Sequence, residues 1–402
     1  EGLSSDARQR PKRSHAVKVA PTIAAILVVF ACAIESARTD TRPAAERSAR
    51  PNVIVFTMDD MDLETVNIYG GGVPGITPNI DRLAKEGIRF HHAHLNSAVC
   101  QHSRQSMMTG LHPHRYGSLA FMPVPRGVPN LSERLMDAGV FTASFNKGRD
   151  YSSFKWSWFL KGYGGRGFGR DGKLFESSVR EAIRRAHATG QPFYLGVNTS
   201  DPHRTYAGSD DEQRTLDEMR KKYPQSVDKI YSPPFDNACS PEQAWLPPYV
   251  ADLPDVRKEW AQYYNTAHRG DQTLGRILDL LDKEGLATNT IVIFFSDNGA
   301  SFPTSKQNCY PYSTRTPLII RWPGGAGDIR FIQRLEETLK PCTGGRCGVA
   351  VHEFLERTTW HAGQHSRQLM WALADKYRIE PERPFGPQMW QGLPMPEQVW
   401  DS

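Results

Sequence analysis

The sequence predicts an α/β fold with a largely parallel sheet, on two observations. Short apolar runs rich in β-branched residues alternate with longer segments of helical periodicity, the pattern of strand–helix–strand units. Several of those runs stop at chemistry-bearing residues. Ligands in such sheets bind beyond the carboxyl ends of the strands, so residues far apart in sequence can meet there.

In chain order, Val53-Ile54-Val55-Phe56-Thr57-Met58 reads as a buried strand ending in Asp59-Asp60. Pro78 to Gly87 reads as a capped helix that Gly87 closes. A helix starting near Ser103 places Cys100 at its N-terminus, where free N–H groups and the dipole favour negative charge. Arg104 adds a planar donor fork suited to an oxyanion. Leu131 to Ala138 is a helix stopped by Gly139, and Val140 to Phe145 is a strand running into Lys147. Leu174 to Ala188 is helical, and Phe193 to Val197 is a strand running into Asp201-Pro202-His203. Residues 205–254, polar and proline-rich, read as a long surface excursion over the site. Asp255 to Glu284 is a long helix with Trp260, Tyr263, Ala267, Leu274, Ile277 and Leu281 on its apolar stripe. Thr290 to Phe295 is a strand running into Asp297-Asn298-Gly299, and Pro317 to Trp322 is the last clear strand.

The net charge of +5 is concentrated at the start, where residues 1–50 hold nine Lys/Arg against five Asp/Glu. The near-neutral remainder excludes a nucleic-acid-binding body, which needs a concentrated basic face. Within the leader, Arg8, Arg10, Lys12, Arg13 and Lys18 precede the apolar run Pro21 to Ala33. That order reads as an export signal followed by a linker, so a periplasmic or secreted location is expected, with membrane attachment only through this leader. The six cysteines are too few and too scattered for a disulfide scaffold and show no zinc-ligand spacing.

Asp59, Asp60, Asp297 and Asn298 offer hard oxygen ligands, which suit Ca²⁺, or Mg²⁺ less well, and not zinc or copper. Arg104, Lys147, His203 and Lys306 add cationic donors. A metal and several cations facing a nucleophile describe a site for a tetrahedral oxyanion, sulfuryl or phosphoryl.

These residues resemble a known family. From about Pro51 to Gly324 the chain is similar to the type I sulfatases of the alkaline phosphatase superfamily. The resemblance rests on Pro51-Asn52-Val53 with Asp59-Asp60, on Thr77-Pro78-Asn79-Ile80-Asp81-Arg82-Leu83, and on Cys100 with Ser103-Arg104 and Thr109-Gly110. It rests also on Asp201-Pro202-His203-Arg204, Ser296-Asp297-Asn298-Gly299 and Thr316-Pro317-Leu318-Ile319. Asp201-Pro202-His203-Arg204, and Phe302-Pro303 with Lys306, look most like the sulfamidase (heparan N-sulfatase) branch.

The resemblance implies an alkaline-phosphatase-like mixed sheet flanked by helices, and hydrolysis of sulfate esters or sulfamates on sulfated carbohydrates. It implies that a maturation enzyme oxidises Cys100 to formylglycine, whose hydrate attacks sulfur. Asp59, Asp60, Asp297 and Asn298 would hold Ca²⁺ together with the modified Cys100. Arg104 and Lys147 would steady the nucleophile and the sulfate. Lys306 and His203 would bind sulfate, with His203 the proton donor to the leaving group. The chain departs from the family at three places. His102 stands where the family motif has proline, and Arg149 stands where a histidine follows the Lys147 equivalent. Residues 325–402 lack the pattern of the family's small antiparallel C-terminal domain. Two alternatives stay open: a catalytically impaired relative that binds sulfated glycan, and a phosphate or phosphonate ester hydrolase on the same scaffold.

Overall fold

The structure, a computed structural model, describes residues 50–323 apart from 119–120, 148–149, 152, 161–166 and 168. The leader, Arg149 and the segment from 324 to 402 lie outside the described residues.

Seven strands form one sheet: β1 (Asn52–Asp59), β2 (Ile88–Phe90), β3 (Phe141–Phe145), β4 (Trp158–Leu160), β5 (Phe193–Pro202), β6 (Thr290–Ser296) and β7 (Leu318–Arg321). Their order is β2-β7-β6-β1-β5-β3-β4. The five strands from β6 to β4 run parallel, while β7 is antiparallel to β6 and β2 antiparallel to β7. The sheet is therefore mixed and mainly parallel. The three-residue strands β2 and β4 at its edges go unseen in the sequence, being too short for a period-2 pattern to register.

The helices are α1 (Pro78–Lys85), α2 (Cys100–Thr109), α3 (Leu131–Asp137), α4 (Gly172–Ala188), α5 (Asp210–Lys222), α6 (Pro254–Lys283) and the single turn α7 (Pro311–Thr314). Alternation along β1 sorts its side chains. Ile54, Phe56 and Met58 enter the main core, with Ile80 and Leu83 of α1, Val179 and Ile183 of α4, and Trp260, Ala267 and Leu274 of α6. Val55 faces the other way, clustering with Tyr194 and Phe295 against Met107 of α2 and Leu135 of α3. Gly270 lets α6 press on the sheet, since a Cβ there would lie 2.3 Å from Met58 Cε and 3.1 Å from Asp201 Cβ.

Two expectations are corrected. Residues 205–254 contain α5, which begins with Ser209 accepting from the Glu212 amide at 3.0 Å while Glu212 accepts from the Gly208 amide at 2.9 Å. That Ser-x-x-Glu spacing, acids in the first turn and bases in the last were visible in the sequence. The proline-rich surroundings hid them. The other correction is that α2 starts at Cys100 and not near Ser103.

Candidate active site

The site lies beyond the carboxyl ends of β1, β3, β5 and β6, next to the first turn of α2. Parallel alignment of these strands brings Asp59 and Asp60, Lys147, His203, and Asp297 with Asn298 to one edge of the sheet. Cys100, Asp59 and Asp297 present ligand atoms all within 4.8 Å of one another. Five non-glycine residues among those described have left-handed backbone, and all sit on site loops: Asp60, Asn146, Lys147, Thr304 and Gln307. Such conformations cost free energy and persist where the surroundings over-determine them.

Asp59, Asp60, Asp297 and Asn298 are fully buried. The Asp60 amide donates to Asp297 Oδ1 at 3.1 Å, and Asn298 Nδ2 donates to Asp60 Oδ1 at 2.7 Å. Lys306 Nζ donates to both oxygens of Asp60, at 2.7 and 2.9 Å. Lys147 pairs with Asp59. Burial alone would raise the Asp59 carboxyl, but Lys147, His203 and Arg104 together pull it far below the ordinary range. Burial pushes Asp297 the other way, upward, against Arg104 and with the charge of Asp59 adding to the rise.

Arg104 is buried completely and braces this acidic cluster. Its Nε donates to Asp297 Oδ2 at 2.6 Å and its Nη1 to Asn198 Oδ1 at 2.7 Å, while Nη2 stands 4.0 Å from Asp59 Oδ1. Asn198 was missed in the sequence. Its signal was a polar residue directly after the apolar run Phe193 to Val197 on the same strand, which must find partners when buried. His203 is partly exposed, with Nε2 3.6 Å from Asp60 Oδ2 and Nδ1 2.5 Å from the Arg204 carbonyl. That carbonyl can only accept, so Nδ1 carries the proton and Nε2 is the nitrogen turned toward Asp60.

Cys100 is a free thiol on the first residue of α2. Helix position alone favours an anion there, yet burial pushes the thiol up to about 12, with Asp59 adding to the rise and Lys147 opposing it. The dipole effect fades within a turn and is worth little against desolvation beside carboxylates. Two residues on, the His102 ring lies 6.0 Å from that of Phe121.

The donor set fits a hard divalent cation. Asn298 Oδ1 and Asp59 Oδ1 are buried and accept no hydrogen bond, a cost that a cation would remove. Cys100 is the one soft donor among oxygens. Calcium and magnesium do not seek sulfur, so an oxygen-bearing derivative of Cys100 would suit the same set better.

Residues 51–339 match the sulfatase family model. The chain belongs to the sulfatase family. Among curated sulfatases, the N-sulphoglucosamine sulphohydrolase of Homo sapiens is 28% identical over 291 residues, covering 68% of this chain and 56% of its own. An ulvan-active sulfatase of Formosa agariphila is 26% identical over 305 residues, covering 68% of this chain and 48% of its own. The chain thus spans about half the length of the curated sulfatases it matches. The solved structure of BT4656 in complex with its substrate D-glucosamine-2-N,6-O-disulfate superposes with a TM-score of 0.51 at 22% identity, covering 68% of this chain and 71% of that one. Ps i-CgsB in complex with k-i-k-neocarrahexaose gives 0.50 at 20%, covering 69% and 67%. These likenesses show that the sheet and its helices have the alkaline-phosphatase-like sulfatase fold.

Proposed function

We propose that this chain hydrolyses sulfate esters or sulfamates on a sulfated saccharide, outside the cytoplasm, through a formylglycine made from Cys100 and a Ca²⁺ held by Asp59, Asp60, Asp297, Asn298 and the modified residue. One observation carries the proposal: Cys100, Asp59 and Asp297 converge within 4.8 Å although Asp59 and Asp297 stand at opposite ends of the catalytic unit in sequence. The cation would neutralise charge on sulfuryl oxygens, and the hydrated aldehyde would supply an oxygen nucleophile.

The remaining work falls to this chain's own side chains. Four carboxylates (Asp59, Asp60, Asp150 and Asp297) meet three cations (Arg104, Lys147 and Lys306), so the protein alone is nearly balanced and a divalent ion leaves the site positive toward an anionic sulfate. Arg104, with no exposed surface, fixes the Asp297 carboxylate. Lys147 and Lys306 keep 17% and 14% of their side chains exposed, enough to offer donors to sulfate oxygens. His203 delivers a proton from Nε2 to the departing oxygen or nitrogen. The leader would direct export, residues 51–324 would form the catalytic unit, and a maturation enzyme would act on the Cys100 segment. N-sulfated glucosamine is a substrate to try first, given the match to the human N-sulphoglucosamine sulphohydrolase.

The test is release of inorganic sulfate from glucosamine N-sulfate and from O-sulfated monosaccharides, beside release of phosphate from an aryl phosphate. Sulfate release abolished by Cys100→Ala is expected. Faster phosphate release would move the activity to phosphate esters, and saccharide binding without turnover would make the chain a binding relative.

A further inference from the structure

Asp201, at the end of β5, is fully buried and already satisfied by Arg269 of α6, whose Nε and Nη2 donate to its two oxygens at 2.9 Å each. A second buried guanidinium, Arg170, stands beside the pair, with Nε 3.6 Å from Asp201 Oδ1. Burying another cation carries a desolvation cost that Asp201 does not require. The terminal nitrogens of Arg170 show where that cost is recovered. Nη2 donates to the His203 carbonyl at 2.7 Å and Nη1 to the Thr205 carbonyl at 2.5 Å. One rigid fork therefore spans the turn that carries His203.

The network extends outward. Arg269 Nη1 reaches the Pro233 carbonyl at 3.0 Å, and Glu212 Oε1 accepts from Ser232 at 2.8 Å. Two arginines and two acids are thus buried together, tying β5, α5, α6 and the His203 turn into one unit. Gly169 brings Arg170 into place. It has φ +71°, and a Cβ there would fall 2.1 Å from Asn146 Nδ2, the residue before Lys147.

We infer that Arg170, braced by Asp201 and Arg269, is a positioning residue that holds the His203 turn so that Nε2 faces the leaving group. This rests on His203 being the proton donor, as proposed above. Protonation matters most when the leaving group is poor, so a displaced donor harms sugar sulfates far more than aryl sulfates. A residue needed only for folding lowers both alike.

The experiment compares kcat/KM on a monosaccharide sulfate and on 4-nitrophenyl sulfate for the full-length wild type, Arg170→Gln, Arg170→Lys and His203→Gln. His203→Gln should lower the sugar-to-aryl ratio by about 10²-fold, and Arg170→Gln by about tenfold, through kcat. Arg170→Lys, which keeps the charge but loses the fork, should fall between wild type and Gln. If Arg170→Gln does not fold, the Lys variant alone decides: a lowered ratio supports the inference and an unchanged ratio overturns it. A lowered ratio in His203→Gln with none in either Arg170 variant overturns the inference alone. An unchanged ratio in His203→Gln overturns the donor assignment on which it rests. Where wild type shows no turnover, affinity for inorganic sulfate replaces the ratio. Equal weakening in Arg170→Gln and His203→Gln then supports the positioning role, and unchanged affinity in Arg170→Gln overturns it.

Discussion

At Cys100 two influences compete, and burial beside Asp59 outweighs the helix N-terminus, so the unmodified side chain is a neutral thiol. Iodoacetamide at pH 8 should label exposed Cys309 long before Cys100, with a rate difference on the order of 10²-fold or more. Comparable labelling of the two would contradict the account of the site's electrostatics. His102 is the third residue of α2, and the first amide bonded inside the helix is that of Ser103, to Val99 at 2.9 Å. Proline at 102 therefore removes no helical hydrogen bond. His102→Pro should change stability by no more than about 1 kcal/mol and raise the converted fraction of Cys100 several-fold. An unchanged fraction would separate His102 from maturation. Asp59, Asp60, Lys147, His203, Asp297 and Asn298 were legible because they follow apolar runs, whereas Cys100 and Arg104 stood at a helix start and Lys306 followed no such run. Their pairings were not: nothing local in the sequence tells that Lys306 holds Asp60 or that Arg104 holds Asp297. Those contacts depend on how distant strands are ordered.

Among the elements, those with strong periodicity were legible, as β1, β5, β6 and α6 show. The structure added what periodicity cannot carry: the short edge strands and the amphipathic α5, whose mean composition is polar. A buried charge at an element's end had no sequence signal either. Asp271 of α6 accepts from the Asn79 and Ile80 amides, the latter at 2.8 Å, and so caps the start of α1. Burial raises its carboxyl to about 6, against these hydrogen bonds. A carboxyl raised in the folded state binds its proton more tightly there than in the unfolded chain. Its contribution is full below the unfolded value near 3.8 and declines as pH rises through about 6. Across that window the group should withdraw stability of about 3 kcal/mol at most. Urea unfolding of wild type and Asp271→Asn, whose amide cannot titrate, should show a difference that changes with pH between about 4 and 6.5. A difference independent of pH would show that Asp271 does not titrate there.

Over the whole molecule, the sheet order lets one ion tie together chain segments more than 200 residues apart, from β1 through α2 to the loop after β6. Binding of a cation to the folded state alone adds about 3 kcal/mol at a hundred times its dissociation constant. For a body of this size that is a rise in Tm of several degrees. Calcium added to chelator-treated protein should produce that rise, magnesium a smaller one, and Asp297→Asn neither. A Tm indifferent to calcium would remove the metal from the account. The sulfatase fold and the export expectation come from different parts of the chain, and only the former lies within the described residues.

The central claim is that Cys100 is the precursor of the nucleophile, and peptide mass spectrometry across Ser97 to Arg104 tests it most directly. On protein from its native host, the account predicts a fraction carrying the aldehyde at position 100, increased by His102→Pro. An intact thiol in every molecule would contradict it.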